Sequence, residues 1–360
     1  MRITDRIQEI EEELSKVKYN KATEKHIGLL KAKLSKLRKQ LISSSSKRSS
    51  TNGFAVQKSG DVTLALIGFP SVGKSTLLSK LTNAKSKARA YAFTTLSVIP
   101  GMLYYNNARI QILDLPGIVE GAAYGRGRGR EVISVARSAD MLLLVISPFN
   151  ADKQLNSIKR ELEEMAIRLD KKPPEIYIEK KHKGGITLFY SRKYNVNEDL
   201  VKSILNEYGI HNANVIIRQD VTADDLIDVI EKNRVYLDYL VVVNKIDLAN
   251  EKLKQDLIAK GYVVVSADKN YNIDELKERI FNKLNLISIY TKSLDGVIDK
   301  EPMILRANST VRDVAKRIHR DLIKQFKYAQ VWGKSVKFPG QKVNLDHVLL
   351  DGDIVMIVGK

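Results

Sequence analysis

Apolar residues along the first 41 positions recur at spacings of three and four: Ile3, Ile7, Ile10, Leu14 and Val17, then Ile27, Leu30, Leu34, Leu37 and Leu41. That spacing is the narrow stripe of an amphipathic helix. With a break near Tyr19-Asn20-Lys21, it predicts a helical hairpin over 1–45. Ser43 to Ser50 is polar and serine-rich, a composition without core-forming side chains, and reads as part of a linker over 46–60. From Asp61 the pattern changes to short apolar runs: Val62 to Ile67, Ile110 to Leu113, Met141 to Ile146, Tyr239 to Val243 and Val263 to Val265. Nearly continuous apolar strands alternating with helical stretches predict an α/β domain whose parallel sheet is covered on both faces.

One interval is too long for a simple strand-helix-strand repeat. About ninety residues separate Ile146 from Tyr239, where a crossover needs about thirty. A helix over Asp152 to Leu169 is stopped by Pro173-Pro174. Ile176 to Ile178, Thr187 to Tyr190, Leu200 to Tyr208 and Val215 to Ile217 then suggest a small inserted α/β unit over 170–235. The flanking stretches 61–169 and 236–288 form the main domain. Over 289–360, strand-like segments around Ile304 and Val331, a helix over Val311 to Phe326 and a last strand Ile354 to Val358 suggest a grasp-like unit, mostly β with one helix.

Composition adds three constraints. Sixty Lys and Arg against 42 Asp and Glu give a net charge of +18, which favours a protein that meets a polyanion over one that handles neutral small molecules. The absence of cysteine excludes disulfides, thiolate metal sites and thiol nucleophiles. No run of 18 apolar residues and no signal-peptide pattern is present, so the expectation is a cytoplasmic protein with no membrane partner. The cations Lys31, Lys33, Lys36, Arg38 and Lys39, and the run Lys180-Lys181-His182-Lys183, fit either a solvated face or contact with RNA.

Gly68-Phe69-Pro70-Ser71-Val72-Gly73-Lys74-Ser75 matches the phosphate-loop pattern, directly after an apolar strand and before the helical run that starts at Thr76. Glycines let successive backbone N–H groups point at a phosphate and the helix N-terminus adds positive dipole. Lys74 reaches the β and γ phosphates, and Ser75 offers an oxygen to Mg2+. Asp114-Leu-Pro-Gly117 closes a second strand, so Asp114 can hold Mg2+ through water while the Gly117 N–H faces the γ-phosphate. Asn244-Lys245-Ile246-Asp247 closes a third. The Asp247 carboxylate can accept from N1–H and the 2-amino group of guanine, a donor pair that adenine lacks. Lys245 would lie along the base plane, and Ser266-Ala267 would present a backbone N–H to guanine O6. Thr94 or Thr95 would complete the Mg2+ shell, with Thr95 preferred. The pattern predicts binding of GTP and GDP.

Hydrolysis would rest on Lys74, Thr95 and the Gly117 amide through positioning and charge neutralisation. Many sites of this kind place a Gln just after the Asp-x-x-Gly motif to orient water. Ile118 stands there, so slow intrinsic turnover is expected, completed by another group, an ion or a partner. Gly121, Gly125, Gly127 and Gly129, interleaved with Arg126, Arg128 and Arg130, suggest a second switch. Its arginines are open to three readings: transition-state stabilisation, RNA contact or solvated loop charge.

Four stretches resemble the developmentally regulated GTP-binding protein family, among the Obg-like translation-factor GTPases: G-F-P-S-V-G-K-S-T (68–76), F-T-T-L (93–96), D-L-P-G-I-V-E-G-A (114–122) and N-K-I-D (244–247). N-K-A-T (20–23), G-L-L-K-A-K-L (28–34), F-K-Y-A (326–329) and V-W-G (331–333) extend the resemblance over nearly the whole chain. It implies a helical N-terminal region, a P-loop GTPase domain interrupted by a small α/β insertion of ribosomal-protein type, and a C-terminal TGS domain of β-grasp form. It further implies a role around ribosomes and translation, activity that K+ can enhance, and in some members a dedicated partner protein. Ser71 stands where potassium-selective relatives often carry Asn, which weakens the K+ expectation. The same residues also admit an RNA-binding scaffold that senses GTP with negligible turnover, and disfavour a phosphate-loop kinase, for which no acceptor site is visible.

Overall fold

The computed structural model describes residues 3–18, 20–46, 59–82, 99–115 and 129–359. Two compact units are present: 1–53 with 162–236, and 54–161 with 237–360.

In the first unit, α1 (Ile3–Lys16) and α2 (Glu24–Ser46) form the expected hairpin. Its turn is closed reciprocally: Asn20 N–H donates to Thr23 Oγ1 at 3.0 Å, and Thr23 N–H to Asn20 Oδ1 at 2.9 Å. α2 runs on through Ser43–Ser46, past the start of the serine stretch expected to be linker. The insert contributes β6 (Ile176–Lys180), β7 (Ile186–Tyr190), α6 (Glu198–Glu207), β8 (Ala213–Ile217) and α7 (Ala223–Glu231). Its sheet order is β6-β8-β7, and one face packs Ile176, Ala213, Val215 and Ile217 on Leu200, Ile204, Leu226 and Ala32 of α2. Ala32 thus joins the hairpin to the insert core.

Ion pairs follow that packing. Of the α2 cations, Lys31 pairs with Asp224 (2.6 Å), Lys36 with Glu207 (3.0 Å), Arg38 with Glu11 (2.8 Å) and Lys39 with Glu231 (2.6 Å). These four cations are engaged within their own unit. Beside them Asp228 is buried between two guanidinium groups. Arg168 binds it through Nε and Nη2, both at 2.8 Å, and Arg234 through Nε at 2.7 Å.

In the second unit the main sheet has the order β10-β9-β4-β1-β3-β2. Its strands are β1 (Val62–Ile67), β2 (Ile99–Tyr105), β3 (Ala108–Asp114), β4 (Met141–Ile146), β9 (Val235–Val243) and β10 (Val263–Val264). All neighbours are parallel except β2 with β3. β1 and β4 are buried at every position, which explains why they read as unbroken apolar runs. Helices α3 (Lys74–Leu81) and α9 (Ile273–Leu284) bury Leu77, Leu81, Leu276 and Ile280 in this core.

The C-terminal sheet has the order β12-β11-β15-β13-β14, with β11 Leu286–Thr291, β12 Met303–Arg306, β13 Phe326–Trp332, β14 Gln341–Val343 and β15 Ile354–Gly359. Val311 and Val314 of α10 (Val311–Ile318) pack with Ile289, Ala329, Val331 and Val355.

Two helices end earlier than their apolar pattern suggests. The helix expected over 152–169 is α5 (Ala151–Glu164). Ala166 turns left-handed (φ 63), and β5 (Ile167–Leu169) follows as a strand, with Ala166 accepting from the Val235 amide at 3.0 Å. The helix expected over 311–326 stops at Ile318, where His319 is extended. A single turn, α11 (Leu322–Gln325), follows, and Phe326 belongs to β13 because it pairs with Gly359. In both cases a sheet partner distant in sequence takes the residues that local periodicity would give to a helix. Helix α7 was not separated from its surroundings by periodicity, yet it carries a capping box. Thr222 N–H donates to Asp225 Oδ2 at 3.0 Å and Asp225 N–H to Thr222 Oγ1 at 3.2 Å. The spacing T-x-x-D was its available signal.

Candidate guanine-nucleotide site

Gly68, Asp114, Asn244 and Ser266 each lie at or just beyond the carboxyl end of a strand of the main sheet: β1, β3, β9 and β10 respectively. In an open α/β sheet this edge is where ligands bind. The parallel ladder aligns the four ends, because Leu66 pairs with Asp114, and Ile146 with Val243.

The loop between β1 and α3 has no alternative residue at two points. A Cβ on Gly68 would sit 2.2 Å from the Val145 carbonyl oxygen. Gly73 adopts φ 88, and a Cβ there would sit 2.4 Å from Nδ2 of Asn244. Ser71 is also left-handed at φ 64. Val72 is buried and Phe69 packs on the core, which anchors the loop, while Pro70, Ser71, Ser75 and Thr76 are exposed.

Lys74 folds back under the loop, its Nζ donating to the carbonyls of Gly68 and Phe69, both at 3.0 Å. Burial lowers its pKa by disfavouring the ammonium form, and the nearby Asp114 charge opposes that shift. Burial likewise raises Asp114, with the Ser75 hydrogen bond and the Lys74 charge pulling the other way. The Ser75 hydroxyl donates directly to Asp114 Oδ2. A hydroxyl and a carboxylate oxygen brought together are hard donors that suit Mg2+, which takes few protein ligands and leaves the remaining positions to phosphate and water. Among the described residues no group of three or more His, Cys, Asp or Glu could hold a metal, so this pair is no all-protein cage.

Asn244 ties the loop after β1 to the turn after β10. Its Nδ2 donates to the Val72 carbonyl at 2.9 Å, and its Oδ1 accepts from the Ala267 N–H at 3.0 Å. Guanine O6 would therefore have to compete with Asn244 for the amide expected to face it. Ser266 is fully buried, with its N–H bonded to the Tyr271 carbonyl at 3.1 Å and its Oγ accepting from Lys269 N–H at 3.2 Å. Lys245 is left-handed at φ 64, and the Cβ position of Gly73 lies 3.7 Å from its Cε, so its stem runs beside the phosphate loop. Asp247 is exposed in the short 3-10 turn Ile246–Leu248. Thr95, Gly117, Ile118 and the run Gly121 to Arg128 lie outside the described residues; Gly129 and Arg130 open α4 (Gly129–Ser138). The sequence places Asn244 among the GTP-binding residues as the first of its motif, and the bridge it makes emerges from the contacts alone.

Models of known families match the chain from residue 63 to 359: the 50S ribosome-binding GTPase over residues 63–181, the C-terminal region of the MMR_HSR1 domain over 183–286, and the TGS domain over 287–359. A GTP-binding protein of Methanocaldococcus jannaschii is 53% identical over 100% of this chain and 94% of its own length. Developmentally-regulated GTP-binding protein 2 of Mus musculus is 48% identical over 100% of both chains. Developmentally-regulated GTP-binding protein 1 of Xenopus laevis is 48% identical over 99% of this chain and 98% of its own. The chain belongs to the developmentally regulated GTP-binding protein family. This member is thus a GTP-binding protein built on a P-loop GTPase domain with a C-terminal TGS domain, and the GTPase domain family is one of GTP-hydrolysing enzymes. GTPases of this kind generally use Mg2+, which suits the Ser75 and Asp114 oxygens. Among the described residues no helix is long and apolar enough to cross a membrane.

Proposed function

We propose that this family member is a cytoplasmic regulatory GTPase with slow intrinsic turnover that acts at the ribosome or its RNA. The observation that carries the nucleotide half is the Asn244 bridge, which holds the phosphate loop and the 266–267 turn in fixed relation. One nucleotide can then be read at both ends.

The roles follow from the chemistry at each position. Lys74 exchanges the Gly68 and Phe69 carbonyls for the β and γ phosphates, and an anion there offsets the desolvation that burial imposes on its ammonium. The loop amides and the N-terminus of α3 face the phosphates. Ser75 and Thr95 would hold Mg2+ directly and Asp114 through water; the ion supplies charge neutralisation on the transferred phosphoryl group. The Gly117 N–H would meet the γ-phosphate, Asp247 would accept from the guanine N1–H and 2-amino groups, and Lys245 would cover the base plane. With Ile118 where related sites carry Gln, the chain has no side chain there to orient water, which supports slow turnover. K+ is proposed only as an enhancer, with Ser71 in place of Asn making the dependence weak, and a dedicated regulatory protein is a proposed partner.

For the ribosomal half, the support is the +18 net charge and the ribosome-binding description of the GTPase family model. Single-turnover hydrolysis with and without ribosomes tests it: ribosomes should accelerate a slow basal rate. GTP that stays intact in both would replace the proposal with a scaffold that senses GTP.

A further inference from the structure

The insert carries a surface that the nucleotide site does not use. Side chains alternate across β6-β8-β7, and the register pairs Tyr177 with Ile216 and Ile216 with Phe189, so these three form one row on the face opposite the insert core. An outward sheet face is ordinarily polar. Here Tyr177 is 56% exposed, Phe189 49% and Ile216 39%.

Cations frame that row. The Arg218 guanidinium lies 5.4 Å from the centre of the Tyr177 ring. At one end of the sheet Lys180 closes β6, and Lys181 Nζ lies 3.5 Å from the Thr187 hydroxyl, with exposed His182 and Lys183 in the turn. At a rise of about 3.3 Å per residue, Lys180 is about 10 Å along the strand from Tyr177. At the other end Arg192 and Lys193 follow β7, both exposed. A hollow of about 390 Å³ beside Phe189 is lined by Glu179, Ser191, Asn214 and Arg218, which supply donors and acceptors next to the ring.

We propose that this face binds unpaired nucleotides of a single-stranded RNA, Tyr177 and Phe189 stacking on bases and Arg218, Lys181 and Arg192 meeting phosphates. Exposed rings on a sheet give bases a flat apolar surface that is tolerant of sequence, and a cationic frame tracks the backbone. A duplex hides its base faces and would find only the cations. A protein partner could cover the row too, but the cations at both ends of the sheet favour a polyanion that offers planar groups to the rings. The inference rests on the RNA reading above and specifies unpaired RNA as the ligand and the insert as its site.

The test uses the full chain and a labelled oligouridine of about 12 nucleotides, a site size usual for one single-strand module. Fluorescence anisotropy should show binding. Phe189→Leu and Tyr177→Leu, which keep apolar bulk but lose the ring, should each weaken it about tenfold, the effect of losing one base–aromatic stack. Phe189→Trp should keep it, and GTP affinity, read in parallel as a check on folding, should not change. Leucine variants that bind like the wild type, or a duplex of equal length that binds as tightly as the single strand, would overturn the proposal. Ribosome co-sedimentation reads the broader function separately. Failure to sediment, with ring-dependent oligouridine binding intact, sinks the ribosomal reading and supports this one.

Discussion

The side-chain amide of Asn244 sits between the Val72 carbonyl and the Ala267 amide, at 2.9 and 3.0 Å, so one residue after β9 holds the two halves of the nucleotide site together. Asn244→Asp preserves the acceptor for Ala267 but replaces the donor to Val72 with a carboxylate oxygen facing a carbonyl. Urea unfolding should show a loss of about 1–3 kcal/mol, the cost of a buried acceptor left unpaired, and calorimetry should show weaker GTP binding because the loop is no longer held in place.

Lys74 is held in the protein against its own desolvation. Lys74→Met relieves that desolvation but takes the donor from the Gly68 and Phe69 carbonyls, so the melting temperature without nucleotide should change little. Added GTP should no longer raise it, whereas GTP at 100 times its Kd stabilises the unsubstituted protein by about 2.7 kcal/mol. A thermal-shift titration distinguishes the two effects in one experiment.

Asp228 bridges Arg168 and Arg234 in a setting where all three side chains are largely buried. Asp228→Ala leaves two guanidinium groups facing each other with no carboxylate between them. Urea unfolding should show a loss of about 3–5 kcal/mol, the usual cost of breaking a buried ion pair by removing one partner. Converting all three positions to apolar residues should recover much of that loss.

In the capping box of α10 the Thr310 backbone N–H donates to the Asp313 carboxylate at 2.9 Å, and this bond holds the Asp313 pKa below its ordinary value. A depressed carboxylate pKa contributes stability that is present above the unfolded-state value and is lost as pH falls through the folded-state value. The stability that separates the unsubstituted protein from Asp313→Ala should thus be about 1 kcal/mol at neutral pH, as for other helix caps, begin to shrink as pH falls below 3.8, and disappear only once pH is below the depressed folded-state value. Chemical denaturation at several pH values checks the sign.

The phosphate loop, the strand-ending Asp114 and the Asn-Lys-x-Asp motif were legible because each is a run of adjacent residues whose chemistry follows from local backbone geometry. β1 and β4 were legible for a related reason: a strand buried on both faces admits only apolar side chains. What the sequence could not show depends on partners far along the chain. Phe326 is drawn into β13 by Gly359, residues 167–169 become a strand rather than a last helical turn, and Lys31 and Lys36 of α2 find their acids in the insert. The same holds for Asn244, whose side-chain hydrogen bonds to Val72 and Ala267 reach 172 and 23 residues away. Periodicity and motif spacing report what a segment can form; only tertiary packing decides which backbone groups and charges at those distances are close enough to satisfy one another.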